Sequence, residues 1–178
     1  QMPREGYRAY YQVNLLVYRH LGKQEEYSFK RLQDRWTPYI RAIESLPKDD
    51  PLREVMLGEV FCKRALLEFL HHNYLSAANY ARMGRSHINK NAKLHPRNVE
   101  QLKMLGLFNV VLGAVPRRYQ WLTNILGFNG DLNIGIAQLT QAAESGQLMG
   151  LEAEVILYHV EKNILNQTEE ALARLRRV

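Results

Sequence analysis

Apolar residues recur at helical spacing along most of the chain, and no long window alternates apolar with polar positions as a half-buried strand would. Breaks rich in Gly, Pro and Asn fall near 22, 46–51, 71–73, 94–96, 115–116, 127–131, 145–150 and 166–168. The segments between them have helix length, so the pattern predicts an all-α protein. The first helix, 3–21, carries Tyr7, Tyr10, Tyr11, Val13, Leu15, Val17 and Tyr18 over most of its surface, which suits a sandwiched helix or one awaiting a partner. The second, 23–46, carries Tyr27, Leu32, Trp36, Tyr39, Ile40 and Ile43, and Pro38 should kink or divide it near Trp36.

Pro51 suits the first turn of a third helix, with Asp49 or Asp50 as its cap. From 52 to 70 that helix is apolar almost all round, the mark of a buried central element. A fourth helix opens at Asn73 and aligns Ala77, Ala81, Gly84 and Ile88 on one stripe. A fifth, 97–115, aligns Leu102, Gly106, Val110 and Gly113. A short helix over 117–126 follows, then one over 132–145 with Gly135, Leu139 and Ala142 aligned. Glycine within a helix costs about 1 kcal/mol against alanine, so glycines on a stripe imply a neighbour packed close enough to offset that cost. The next helix, 151–165, carries Val155 and Tyr158 on one side. Thr168, Glu169 and Glu170 read as the cap and acidic first turn of a last helix.

A turn followed by a small-x3-apolar or small-x3-small stripe occurs after Asn73-Tyr74 and again after Gly130-Asp131, with a weaker copy at Ala171 and Leu175. This resembles the second-helix signature of tetratricopeptide repeats, and the 36 residues from Gly135 to Ala171 are close to that repeat length. The first-helix half is poorly kept: Ala65 is small where expected, but Arg64 replaces the usual Leu. The expected fold is therefore all-α, with antiparallel helix pairs stacked as a degenerate tetratricopeptide-like superhelix. The expected organisation is a single helical domain over 1–178, with N-terminal helices in 1–50 and repeat-like helices in 51–178, in a chain that can be part of a longer one.

Leu107-Phe108, Leu112, Val115-Pro116, Leu122, Leu126-Gly127-Phe128, Gly130-Asp131, Gly135 and Leu139 go further. Over roughly 105–143 they resemble the Iml2 / tetratricopeptide-repeat-39 family and bacterial outer-envelope relatives. The resemblance implies a helical-repeat fold and an adaptor role, and it carries over no catalytic residues. Gly127, Gly130 and Asp131 form its structural turn: positive φ is expected at Gly127 or Gly130, and Asp131 should cap the helix that follows.

Composition changes this picture little. The chain has 178 residues, 46% of them hydrophobic and 24% charged, as in ordinary soluble domains. A net charge of +6 admits an acidic protein, nucleic acid or an anionic membrane as partner. Cys62 is alone, reads as a small buried hydrophobe and forms no zinc pair. No run approaches the roughly 18 apolar residues of a membrane span. A start at Gln-Met-Pro is compatible with signal-peptide removal, and points to a bacterial periplasm or cell envelope.

No phosphate loop, nucleophile elbow or His-Glu-x-x-His helix is present, so neither enzyme activity nor a cofactor is expected. His71 and His72 are adjacent and cannot chelate one metal from a helix, and Glu68 with His72 lacks a third ligand, so no metal is expected either. One stretch has a chemical character of its own. Between Glu68 and Glu100 there is no acidic residue, while Arg82, Arg85, Lys90, Lys93 and Arg97 follow one another, with His71, His72, His87 and His95. Arg82, Arg85, Asn89 and Lys93 share one side of a helix, largely opposite the small-residue stripe. The sequence thus points to a non-catalytic scaffold binding protein or peptide, with Tyr7, Tyr11, Tyr74, Tyr80, Arg82, Arg85 and Lys93 as contacts. The alternative is a nucleic-acid- or anionic-lipid-binding module using the basic strip at 82–97. Between Met104 and Leu151 only Arg117, Arg118, Asp131 and Glu144 are charged, so these helices are either central or present an apolar surface to a partner, including another copy of the chain.

Overall fold

The 3.6-residue periodicity is carried through into helices: among the described residues of this computed structural model there is no strand. The structure describes residues 2–23, 26–114, 130–145 and 148–176. Its contacts divide the chain into two units, Gln1–Pro96 and Arg97–Val178. The first holds α1 (Met2–Lys23), α2 (Glu26–Glu44), α3 (Arg53–Leu70) and α4 (Tyr74–Leu94). The second holds α5 (Gln101–Gly113), α6 (Leu132–Glu144), α7 (Gly150–Asn163) and α8 (Thr168–Leu175).

In the first unit α3 touches α1, α2 and α4, as its all-round apolar surface requires. Val55, Met56, Leu57, Val60 and Leu67 are fully enclosed, with Val13 and Val17 from α1, Leu32, Trp36 and Ile43 from α2 and Ile88 from α4. Each such aliphatic side chain contributes roughly 1.5–3 kcal/mol on burial. The first helix is one-sided rather than covered all round: Tyr10, Val13 and Val17 face inward, while Tyr11, Leu15 and Tyr18 stay exposed. Pro38 lies inside α2 without dividing it. Asp50 acts just before α3, where its Oδ1 accepts from the Leu52 N–H at 2.9 Å; the cap position itself is Leu52, with no side-chain bond.

The α3–α4 pair closes through three residues, and His72 takes the left-handed conformation there, φ 63°. The Asn73 N–H returns to the Glu68 carbonyl, and its side chain donates to Glu68 Oε2 at 2.8 Å. Along the pair the backbones meet at two glycines. A Cβ on Gly84 would stand 2.8 Å from the Gly58 carbonyl oxygen and 2.4 Å from Cys62 Sγ; one on Gly58 would stand 3.0 Å from the Gly84 oxygen. The small first-helix residue that receives the Ala77–Gly84 stripe is thus Gly58, one turn and more before the expected Ala65.

The second unit repeats this device. A Cβ on Gly106 would lie 2.8 Å from the Gly135 oxygen, and one on Gly135 would lie 2.6 Å from the Val110 nitrogen and 2.8 Å from the Gly106 oxygen. Around that crossing Val110, Leu139, Leu157 and Val160 form the core, with Leu132, Ile136, Ala143 and Ile156 packed on it. Asp131 caps α6 as expected, accepting from the Ile134 N–H at 2.9 Å. Gly130 does not take a left-handed φ; it is glycine because a Cβ would meet Leu112 Cβ at 2.5 Å and the Gly113 nitrogen at 2.6 Å. Gly127 and the expected helix over 117–126 lie outside the described residues.

The inward side of α7 is Ala153, Leu157 and Val160, whereas Val155 is 40% exposed. The last helix starts at Thr168, with Gln167 rather than Thr168 at the cap position. Glu100 binds the start of α7 instead of a local cap: its two carboxylate oxygens accept from the Leu148 and Met149 N–H groups, each at 2.9 Å.

The two kinds of helical glycine make a direct test. Gly135→Ala places a methyl group against backbone atoms that cannot rotate away, so it should cost about 1–3 kcal/mol despite alanine's better helix propensity. Gly22→Ala, with nothing within 4 Å of its Cβ, should be neutral or stabilising by up to about 1 kcal/mol. Urea denaturation of the two variants beside the wild type checks both; equal stability of the Gly135 variant would remove the close-crossing account.

Candidate interaction surface

The inner side of α4, Ala77, Gly84, Ile88 and Asn91, is buried against its neighbour, which leaves Ser76, Asn79, Arg82, Met83, Asn89 and Lys93 outside. On that outer side Ser76, Asn79, Tyr80, Arg82 and Met83 line a shallow depression of about 290 Å³. Tyr80 is its fixed element. Its ring lies parallel to Phe61, centroids 6.3 Å apart, and the Arg64 guanidinium lies 3.9 Å from its centre. Arg64 also reaches the Trp36 ring at 5.7 Å and stands 3.9 Å from Glu68. Burial holds the Arg64 pKa below its ordinary value, against the opposing pull of Tyr80 and Glu68. The position where the repeat pattern wants Leu is therefore filled by a cation flattened between aromatic faces, an arrangement worth about 0.5–2 kcal/mol.

The basic strip is only partly basic in the fold. Glu54 of α3 is 1% exposed and lies against α4, where His87 Nδ1 stands 2.7 Å from Oε2 and Lys90 Nζ 2.8 Å from Oε1; Arg53 also binds it. Burial works against charging this carboxyl, but donation from Lys90 and His87 outweighs it and holds the pKa below 4.5. His87 is further stacked on Phe61, ring centres 5.4 Å apart. Lys90 and His87 are thus spent inside the first unit. Arg82 and Lys93 are exposed and, among the described residues, face no carboxylate partner. Arg85 between them is half-buried, with contacts of its own.

The structure brings Tyr80 and Arg82 together and sets Arg85 and Lys93 further along the same helix. Tyr74 stands at its start, with its hydroxyl 2.9 Å from His72 Nδ1. Tyr7 and Tyr11 belong to α1, which packs on α2 and α3. The Tyr7 hydroxyl donates to Asp50 Oδ2 at 2.8 Å, and burial together with that bond pushes its pKa up to about 12. Tyr11 is half exposed and meets Tyr10 edge-on.

His71 and His72 have separate partners. His71 stacks on Phe29, ring centres 3.7 Å apart, and its Nε2 lies 3.2 Å from that of buried His20. Glu68 bonds Gln33 and Asn73 instead of aligning with His72. Among the described residues no three His, Cys, Asp or Glu side chains converge on a metal position, and no helix is long and apolar enough to cross a membrane.

Sequence reasoning missed the buried charges. Lys103, 1% exposed, binds Glu152, whose carboxyl burial pushes up to about 7. Arg174 ties α8 to α7 through Glu154 at 2.7 Å and Glu161 at 2.7 Å. A carboxylate at the start of an apolar helix, with no acidic residue on the helix that follows, was the available signal for Glu54; the other two pairs lack a comparable one.

Residues 103–169 match the model of the Iml2/Tetratricopeptide repeat protein 39 family. The match runs from α5 to the first turn of α8, beyond the 105–143 stretch whose motifs first suggested it, and this part of the chain resembles that family as a helical repeat. No curated protein and no solved structure matches the chain, so the bacterial envelope relatives are not among the matches.

Because the folded pKa of Glu54 lies below its unfolded value, the stability it supplies is fully present above about pH 4.5 and is lost as pH falls through the folded value. Glu54→Gln should therefore cost about 2 kcal/mol at pH 7 and flatten the fall in stability between roughly pH 5 and 3. Denaturation at both ends of that window checks it; an unchanged acid limb would show that Glu54 is not the linked group.

Proposed function

We propose that this protein is a non-catalytic helical-repeat scaffold that takes an acidic protein segment along the outer side of α4. The observation that carries this reading is the pair Arg82 and Lys93, exposed and without a carboxylate partner among the described residues, beside the depression that Tyr80 and Arg82 line. Eleven residues of helix separate the two cations by about 16 Å, which an extended peptide spans with about five residues. The rigidly held Tyr80 ring offers an apolar surface with a polar tip next to Arg82, a combination suited to a side chain flanked by carboxylates. Arg85, Lys93 and Tyr74 extend the same contact line, while Tyr11 with Tyr7 on α1 is a separate, secondary contact. Resemblance to a tetratricopeptide family over 103–169 supports an interaction role, and it brings no catalytic residue with it.

The test is affinity for a synthetic Asp/Glu-rich peptide of about a dozen residues, read by fluorescence anisotropy at low salt. Arg82→Glu with Lys93→Glu should weaken it by about tenfold or more. Tyr80→Ala should weaken it by several-fold with little salt dependence. Unchanged affinity in the charge-reversed variant would overturn the reading. So would preference for single-stranded RNA with a steep loss between low and moderate salt, which would assign the strip to phosphates.

A further inference from the structure

The end of the α3–α4 hairpin carries an apolar surface of which the acidic-peptide contact line on α4 reaches only Tyr74. Leu66, Phe69 and Leu70 at the close of α3 are 45%, 57% and 49% exposed, and Tyr74 and Leu75 at the start of α4 are 56% and 87% exposed. Phe69 and Tyr74 meet edge-on, 5.5 Å between centres, which links the exposed side chains at the close of α3 to those at the start of α4. Within the hairpin itself, residues 66–82 present no exposed acid. Glu68 is 5% exposed, its carboxylate taken by Gln33 and Asn73, and no further acidic residue follows before Glu100.

We infer that this hairpin end docks on an anionic lipid surface, with the five apolar side chains entering the interface and Arg82 at the level of the phosphates. The layering matches the dimensions of such an interface. Leu66 to Leu70 spans about 6 Å along α3, within the roughly 5–10 Å to which interfacial apolar faces are buried. Arg82 lies seven residues beyond Leu75, on the same side of α4 and about 10 Å further from the end, where headgroup charge begins. Tyr74 and His72, joined at the tip of the hairpin by a 2.9 Å contact between hydroxyl and Nδ1, have the amphipathic character of interfacial residues. A second copy of the chain fits less well. Five side chains of at most about 250 Å² each, exposed by roughly half, fall short of the roughly 800 Å² per partner that a specific dimer buries.

Co-sedimentation with phosphatidylcholine vesicles, with and without roughly 30% phosphatidylserine, tests the inference. Wild type should pellet with the anionic vesicles, and Phe69→Ser with Leu75→Ser should reduce partitioning by about tenfold per side chain removed. Leu75→Trp supplies an independent readout: the introduced indole should shift to the blue on anionic vesicles and be quenched by brominated acyl chains. The serine variant should keep wild-type affinity for the acidic peptide, which separates this surface from the α4 contact line. Wild type remaining in the supernatant, equal binding of the serine variant, or unshifted indole emission would overturn the inference. So would concentration-dependent self-association in the ultracentrifuge that the serine variant abolishes without any vesicle binding, since that would give the surface to a second copy.

Discussion

Backbone contact between paired helices is the constraint from which the rest of each unit follows. Gly58 against Gly84, and Gly106 against Gly135, let two helices approach until carbonyl oxygens occupy the space a Cβ would need. A glycine in a helix costs about 1 kcal/mol in propensity, so four of them are tolerated only because the contact returns more than that in dispersion and apolar burial. Once the axes are so close, side chains on either side of the crossing are forced to fill defined spaces. Ile88 sits over Gly58, and Leu139 sits over Gly106, each fully buried. The crossing also fixes which residues of α4 and α6 look outward, and so which of them are available for contacts.

Close pairs need rotational locks, because a glycine crossing has no shape of its own to prevent sliding. Charged residues at the margins supply them. Glu54 holds α4 through Lys90 and His87, Lys103 holds α7 through Glu152, and Arg174 holds α8 through Glu154 and Glu161. Buried ion pairs add little net stability because desolvation offsets most of the attraction. Their directional demand is strict, however, and a register error of one residue would leave Glu54 charged and enclosed. Glu100 does the same for the loop before α7, where its carboxylate faces two N–H groups that a helix start leaves open.

The helix pattern and the small-residue stripes were legible because both are local: periodicity and glycine spacing reside on one helix. Asp131 was legible as a cap for the same reason. What each stripe packs against was not, since Gly58 and Ala65 are both small residues of the same helix and only the place of the crossing selects between them. The apolar residues around the first helix suited either a sandwiched helix or one awaiting a partner, and Leu15 and Tyr18 remain outside; composition around a helix does not say how many neighbours reach it. The acid-free stretch after Glu68 was legible as a basic strip, but the carboxylate that neutralises half of it comes from α3. Arg64 looked like a departure from the repeat, and only the convergence of Trp36 and Tyr80 from two other helices explains why a cation occupies that place.

That partial neutralisation is what gives α4 a direction. A helix with four cations and no acid would attract any polyanion along its length, with little preference for position. Glu54 removes Lys90 and His87 from the field near its middle, while Arg82 and Lys93 keep theirs at separate points on the exposed side. Two isolated cations about 16 Å apart discriminate by spacing: a partner must place carboxylates to suit both, and one charge alone gains little in water at this ionic screening. The ring of Tyr80, clamped between Phe61 and Arg64, then favours one register of that partner over its neighbours, because displacing it would break a stack that the fold has already formed. In the proposed complex, specificity on this face comes from buried groups: Glu54 decides which cations remain available, and Arg64 decides where the aromatic surface beside them is held.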